Sequence, residues 1–206
     1  MWIKPNNYYG ELRFYTNPER TFPTQTYKFI DTAVWTNAFN PTNPLLVSTS
    51  NNHNGNQAMW FFSDRAQSDK DISTTNQTNL ATSVWYYDDT IYDIKSIGPM
   101  FSSVGTDSYA IIGFNSTTTI SNYAYRLGTT WYNSTIPRTT GWHKFETRYT
   151  TSGVKGFIDS QQIFNSPITK GFYRISIGAP WGHVSEPGYF DDVTIRNYSD
   201  HEPSTS

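Results

Sequence analysis

Paired carboxylates, aromatic rings in polar loops and scattered histidines are the side chains of this 206-residue chain that could do chemistry. Two acidic doublets stand out, Asp88-Asp89 and Asp191-Asp192, each directly behind aromatic residues. Adjacent carboxylates suit a hard cation that collects about six to eight oxygen ligands, so Asp191 and Asp192 are candidate ligands of one structural Ca2+. The competing use is local, with one Asp capping a turn or bonding a strand edge while the other faces water. Asp88-Asp89-Thr90 reads as the start of a turn. Catalysis by carboxylate pairs needs two groups about 5 Å apart for retaining glycoside hydrolysis and about 6.5 to 9.5 Å apart for inverting hydrolysis. Glu11, Glu19, Glu146, Glu186 and Glu202 stand isolated, which leaves only pairing across strands. His53, His143, His183 and His201 have neither zinc spacing nor the setting of a Ser-His-Asp relay.

Binding needs less than catalysis. A flat ring offers area at little rotamer cost, and neighbouring amides and charges orient what lies on it. The chain has 7 Trp, 15 Tyr and 13 Phe, and its aromatic fraction of 17% exceeds its charged fraction of 16%, so some rings must reach the surface. The loop candidates are Trp181 with His183 in Ala179-Pro180-Trp181-Gly182-His183, Trp131 with Tyr132 in Thr129-Thr130-Trp131-Tyr132-Asn133, and the asparagine-rich loop that carries His53 and Asn54. Arg138 and Arg126 could pair with a carboxylated sugar, the competing uses being an internal ion pair or a solvated strand face. Trp60, Trp85 and Trp142 sit inside strand-like runs and are expected in the core.

These residues must be positioned by strands. Short runs of β-branched and aromatic residues recur between Gly, Asn, Asp, Pro and Ser clusters, and helical periodicity is nearly absent. Strands are expected at 8–15, 26–35, 45–49, 58–63, 81–87, 100–104, 108–114, 122–127, 143–149, 154–159, 172–177 and 188–196. In Lys144-Phe145-Glu146-Thr147-Arg148-Tyr149 the rings of Phe145 and Tyr149 share one face and the charges share the other, which predicts one core face and one wet face. Thr151-Ser152-Gly153 and Asp159-Ser160 read as hairpin turns. So many short strands over one core predict an all-β fold, a two-sheet antiparallel sandwich. One domain is expected over residues 1–198, with 1–75 open to reading as added strands and 199–206 as a polar tail.

Composition narrows the partners. A net charge of -2, with Lys and Arg scattered, gives no footprint for a phosphate backbone, so nucleic acid is not an expected partner. Met1-Trp2-Ile3-Lys4-Pro5 lacks the apolar run of a signal peptide, and no apolar stretch of about 18 residues occurs, so membrane insertion is not expected. There is no cysteine to report on redox compartment. Sequons at Asn76, Asn115, Asn133 and Asn197, together with an Asn-, Thr- and Ser-rich composition, point to an extracellular or surface setting.

Val84-Trp85-Tyr86-Tyr87-Asp88-Asp89, the Tyr123-Ala124-Tyr125-Arg126 strand and the run from Arg138 through Gly141-Trp142-His143 and Phe157-Ile158-Asp159 to Asp191-Asp192-Val193 resemble the concanavalin A-like and laminin-G-like jelly rolls, which include carbohydrate-binding modules. The resemblance covers about residues 80 to 198. It implies a jelly-roll sandwich, a polysaccharide or glycan as partner, and a calcium near the closing strand. Glu11-Leu12-Arg13 faintly resembles a strand of jelly-roll alginate lyases, whose remaining motifs are missing. A non-catalytic carbohydrate-binding domain is therefore the expected function. The alternatives are a structural or adhesive subunit of a virion, pilus or surface layer, and a polysaccharide lyase or glycoside hydrolase.

Overall fold

The computed structural model describes residues 19–22, 25–29, 36–37, 46–49, 51–55, 57–61, 67–90, 96–102, 110–115, 120–178 and 188–198. Sixteen strands and no helix lie among these residues: β1 (Glu19–Phe22), β2 (Gln25–Phe29), β3 (Thr36–Asn37), β4 (Leu46–Ser48), β5 (Ala58–Phe61), β6 (Gln67–Asp71), β7 (Leu80–Asp88), β8 (Ser96–Ser102), β9 (Ala110–Asn115), β10 (Asn122–Leu127), β11 (Thr130–Pro137), β12 (Gly141–Thr150), β13 (Gly153–Ile158), β14 (Gln161–Ser166), β15 (Arg174–Gly178) and β16 (Gly188–Asn197). They form a nine-stranded sheet in the order β1-β2-β4-β5-β16-β7-β12-β13-β14 and a seven-stranded sheet in the order β11-β10-β9-β8-β15-β6-β3. The pairing is antiparallel throughout, and the fold is the all-β two-sheet sandwich that the patterning predicts.

Alternation explains how the sheets close on one another. In β7, Val84 and Tyr86 point into the core, as do Phe145 and Tyr149 of β12, and they meet Ile112, Phe114, Tyr123, Ile175 and Ile177 of the other sheet. Tyr86 lies 5.9 Å from Phe114 across the interface, and Tyr123 meets Phe145 edge-on at 5.5 Å. Thr82 and Thr147 share a 2.8 Å hydroxyl bond inside this core, so neither is left unsatisfied. Both predicted hairpins are present. Thr151-Ser152 joins β12 to β13 with Thr150 opposite Gly153, and Asp159-Ser160 joins β13 to β14 with φ of 48° and 69°. A side chain at Gly156 would meet the Phe164 ring at 2.0 Å, so glycine there lets β14 lay an aromatic ring across β13.

Five strands fall outside the expected set: β3, which begins after the strand expected over 26–35, and four others. β1, β6, β11 and β14 have polar or weakly alternating sequences and are held by their neighbours. In β6, Gln67-Ser68-Asp69-Lys70-Asp71, the acids pair across the ladder with Arg174 of β15, whose Nε lies 2.6 Å from Asp71 Oδ1. Of the strand expected over 26–35, residues 26–29 lie in β2 and residues 30–35 lie outside the described residues, while β3, beyond that range, belongs to the other sheet. The strand expected over 8–15 lies outside the described residues, as does the 199–206 tail.

Candidate functional site

The outer face of the nine-stranded sheet, turned away from the core, carries a row of aromatic rings. Because Val84 and Tyr86 point inward, period two sends Trp85 and Tyr87 outward. Register then aligns four rings across four adjacent strands: Trp60 of β5 faces Tyr189 of β16, Tyr189 faces Tyr87 of β7, and Tyr87 faces Trp142 of β12. Trp142 and Tyr87 meet edge-on at 5.5 Å, and Tyr87 and Tyr189 at 6.2 Å. Trp60 and Tyr189 are nearly buried in a second, smaller apolar cluster with Ala58, while Tyr87, Trp85 and Trp142 are half-buried. The expectation of a core position is met by Trp60, buried in this second cluster, and corrected for Trp85 and Trp142, which are half-buried on the outer face. The alternation of β7 was the signal that could have placed Trp85, and register across the ladder, which no sequence shows, placed the rest.

A loop docks against this row through the second acidic doublet. Phe190 and Val193 both enter the core, which strict alternation forbids for residues three apart. The register of β16 against β7 shifts between Asp191 and Thr194, and this bulge, with Asp192 at φ 47°, keeps both carboxylates off the core. Asp191 Oδ1 accepts its neighbour's N–H, from Asp192, at 2.8 Å, and Oδ2 accepts the backbone N–H groups of His53 at 2.8 Å and Asn54 at 3.2 Å. Asp192 Oδ2 accepts from Asn54 Nδ2 at 2.6 Å and lies 2.8 Å from His53 Nδ1, which must donate because a carboxylate can only accept. Thus held, the His53 ring stacks on Trp85 at 3.8 Å with a 17° interplanar angle and meets Trp142 edge-on at 5.6 Å. Burial pushes the Asp191 carboxyl up, against the pull of the His53, Asp192 and Asn54 N–H groups.

The first doublet does a different job. Thr90 N donates to Asp88 Oδ1 at 2.8 Å, which is the predicted turn. Arg138 grips the same carboxylate with two bonds, Nη2 to Oδ1 at 2.7 Å and Nε to Oδ2 at 2.9 Å, and its guanidinium lies 3.9 Å over the Phe114 ring. Side-chain exposure is 3% for Arg138 and 0% for Asp88, so Arg138 is no surface ligand for a sugar: its charge is consumed inside the protein. This overturns its candidacy as a carbohydrate contact in favour of the internal ion pair.

The remaining candidates are dispersed. Trp131 and Tyr132 stand in strand β11, beyond the two-residue turn Gly128-Thr129, and not in a loop. Being adjacent in a strand they point to opposite faces, Trp131 opposite Arg126 and Tyr132 opposite Tyr125. Tyr132, 44% exposed, stacks on Tyr125 at 5.3 Å. Trp181 and His183 lie outside the described residues. Of the expected residues the structure brings together His53, Asn54, Asp191 and Asp192, and adds Trp85, Tyr87 and Trp142.

One string of residues has the order of a nucleophile, base and acid. His143 Nδ1 lies 2.6 Å from Asp159 Oδ2, and Thr139 Oγ1 is 3.1 Å from His143 Nε2. The Thr139 carbonyl oxygen, however, is closer to Nε2, at 2.8 Å. A nitrogen that donates to a carbonyl has no lone pair to take a hydroxyl proton, so the string ties the 139–143 corner to the β13–β14 turn and does not activate Thr139. Among the described residues no three His, Cys, Asp or Glu side chains cluster as a metal site.

No protein family and no curated protein matches the chain. Solved structures match it in shape. A structure reported with endo-acting O-glycanases of the human gut microbiota that initiate mucin breakdown has a TM-score of 0.56 at 10% identity, covering 83% of this chain and 95% of that one. The endo-β-1,4-glucuronan lyase of the fungus Trichoderma reesei has a TM-score of 0.55 at 7% identity over 92% of this chain and 94% of that one. Trypanosoma rangeli sialidase with the inhibitor DANA has a TM-score of 0.53 at 8% identity over 75% of this chain, which spans only 27% of the sialidase. At such identities these likenesses establish a shared β-rich fold.

Proposed function

We propose that this chain is a jelly-roll carbohydrate-binding domain that recognises a polysaccharide or glycan without cleaving it. The observation that carries the proposal is the aromatic row on the outer face of the nine-stranded sheet, with half-buried Tyr87 and Trp142 beside the His53-Trp85 stack and exposed Asn54 at its margin. Rings held by register and by a docked loop lose little entropy when a sugar face lies on them, and the Asn54 amide offers orienting bonds. The similarity in fold to a glucuronan lyase, a sialidase and a structure reported with O-glycanases supports a glycan as the partner. An extracellular or surface setting is part of this reading, supported by the exposure of the sequon residues Asn76, Asn133 and Asn197. Trp142→Ala should lower retention on a glycan affinity gel by about 1 to 3 kcal/mol while the melting transition stays cooperative. Undiminished retention would remove this face as the site.

A calcium at Asp191 and Asp192 would have to take carboxylate oxygens that already accept N–H groups, at Asp191 Oδ1, Asp191 Oδ2 and Asp192 Oδ2. Those oxygens keep further lone pairs, but among the described residues no third His, Cys, Asp or Glu side chain joins the two carboxylates, which supply fewer oxygens than a hard cation collects. A chelator should leave the melting temperature unchanged, and a fall on chelation would restore the cation.

A further inference from the structure

On the same outer face, the strand that supplies Trp142 continues into charge. Lys144 stands directly opposite Trp85 in the ladder, and Trp142 lies two residues before it on the same face. Cross-strand partners have Cβ atoms about 5 Å apart and same-face neighbours along a strand about 7 Å apart, so the Lys144 stem starts within one sugar's reach of both rings. Two residues further, Glu146 draws three cations to one carboxylate: Lys144 Nζ at 3.1 Å, Arg148 Nε in a short contact, and Arg196 Nη2 at 3.7 Å. The layering matters more than the count. The Glu146 side chain is 10% exposed, beneath Lys144 at 37% and Arg148 at 28%. A sunken acid with cations above it presents a positive surface to solvent and pre-orders the side chains that make it, so little rotamer entropy is left to lose when an anion arrives. Lys144 keeps donors beyond the one it directs at Glu146, since an ammonium has three.

We propose that the ligand of the aromatic face is an acidic glycan, its carboxylate or sulfate resting on Lys144 and, further along the chain of sugars, on Arg148. This rests on the glycan-binding reading of the same face and narrows it to anionic sugars. The full chain is to be run on three immobilised polymers: dextran, neutral; polygalacturonate, bearing carboxylates; and dextran sulfate, bearing sulfates. Retention on one or both acidic gels, weakening as salt rises and exceeding that on dextran, is the expected result, and the preferred acidic gel names the anion. Lys144→Gln, at a half-buried side chain, should weaken acidic-gel binding about tenfold and Lys144→Arg should restore it. Equal retention on dextran and the acidic gels, or acidic-gel binding indifferent to Lys144→Gln, would overturn the anionic assignment and leave glycan binding standing. Retention on none of the three would overturn both.

Discussion

Two acidic doublets of identical sequence, one at the end and one in the middle of a long strand of the same sheet, end up in opposite circumstances. Asp88 sits at the end of β7 under a bidentate guanidinium at 2.7 and 2.9 Å, sealed from water and beyond the reach of any ligand. Asp191, in the bulge of β16, has no cation among its described partners: N–H groups of a surface loop satisfy it, and they hold a histidine ring on a half-buried tryptophan. A carboxylate locked by a cation is a fastener, because removing either partner strands a charge in the interior. One held by backbone N–H groups is a positioner, since what it secures is the shape of the loop that brings the bonds. The difference lies in which distant segment arrives: Arg138 comes from fifty residues on, and His53 from 138 residues back.

The contrast predicts its largest effect at the fastener. Arg138→Ala leaves Asp88 buried and unpaired and should destabilise the protein by about 3 to 5 kcal/mol. In calorimetry this appears as a fall in melting temperature on the order of 10 °C. An apolar double replacement, Asp88→Leu with Arg138→Met, should recover much of that loss, because it removes the stranded charge as well as the pair. If the double variant is no better than the single one, the pair does more than neutralise itself.

Asp191→Ala should cost less, about 1 to 3 kcal/mol, for the N–H groups it leaves without an acceptor in a place water can partly reach. Its second consequence separates it from Asp88. With the loop released, His53 leaves Trp85, and tryptophan fluorescence should shift toward the solvent-exposed value while the protein remains folded. An Asp191 variant that loses stability but keeps the stacked environment of Trp85 would collapse the distinction between fastener and positioner.

How much of this was legible beforehand follows from the same physics. Alternation in β12 and the two hairpins were readable because they depend on neighbours in sequence, and β10 was placed at its observed bounds, Asn122–Leu127. Alternation also contains the outward direction of Trp85, since Val84 and Tyr86 are plain core residues, although residue type alone points a tryptophan within a strand to the core. β6 was not legible, because a run such as Gln67-Ser68-Asp69-Lys70-Asp71 becomes a strand only when Arg174 lies opposite. The internal ion pair of Arg138 was among its readable uses, but not its partner, since Asp88 lies fifty residues away in the chain. The aromatic row needed the register of four strands at once, and register is a property of the folded sheet.

The smallest effect is a pH dependence that sets the two kinds of carboxylate against each other. Glu146, like Asp88, is gripped by cations. Burial works to raise the Glu146 carboxyl, but Arg148 and Lys144 outweigh burial and hold it below the ordinary range. A depressed folded value contributes stability that is present above the unfolded value and is lost as pH falls through the folded one. Asp191 has the opposite sign. Its raised carboxyl contributes stability in acid, lost as pH rises through the folded value. Melting temperatures measured from neutral pH down through the carboxylate range should therefore fall less steeply for Glu146→Gln than for the native chain. Asp191→Asn should make the fall steeper, because it deletes a group whose protonation in acid favours the folded state. Acid limbs shifted in the same direction by both variants would show that cations and N–H groups hold these two carboxylates in electrostatically equivalent ways, and the comparison of fastener with positioner would then rest on burial alone.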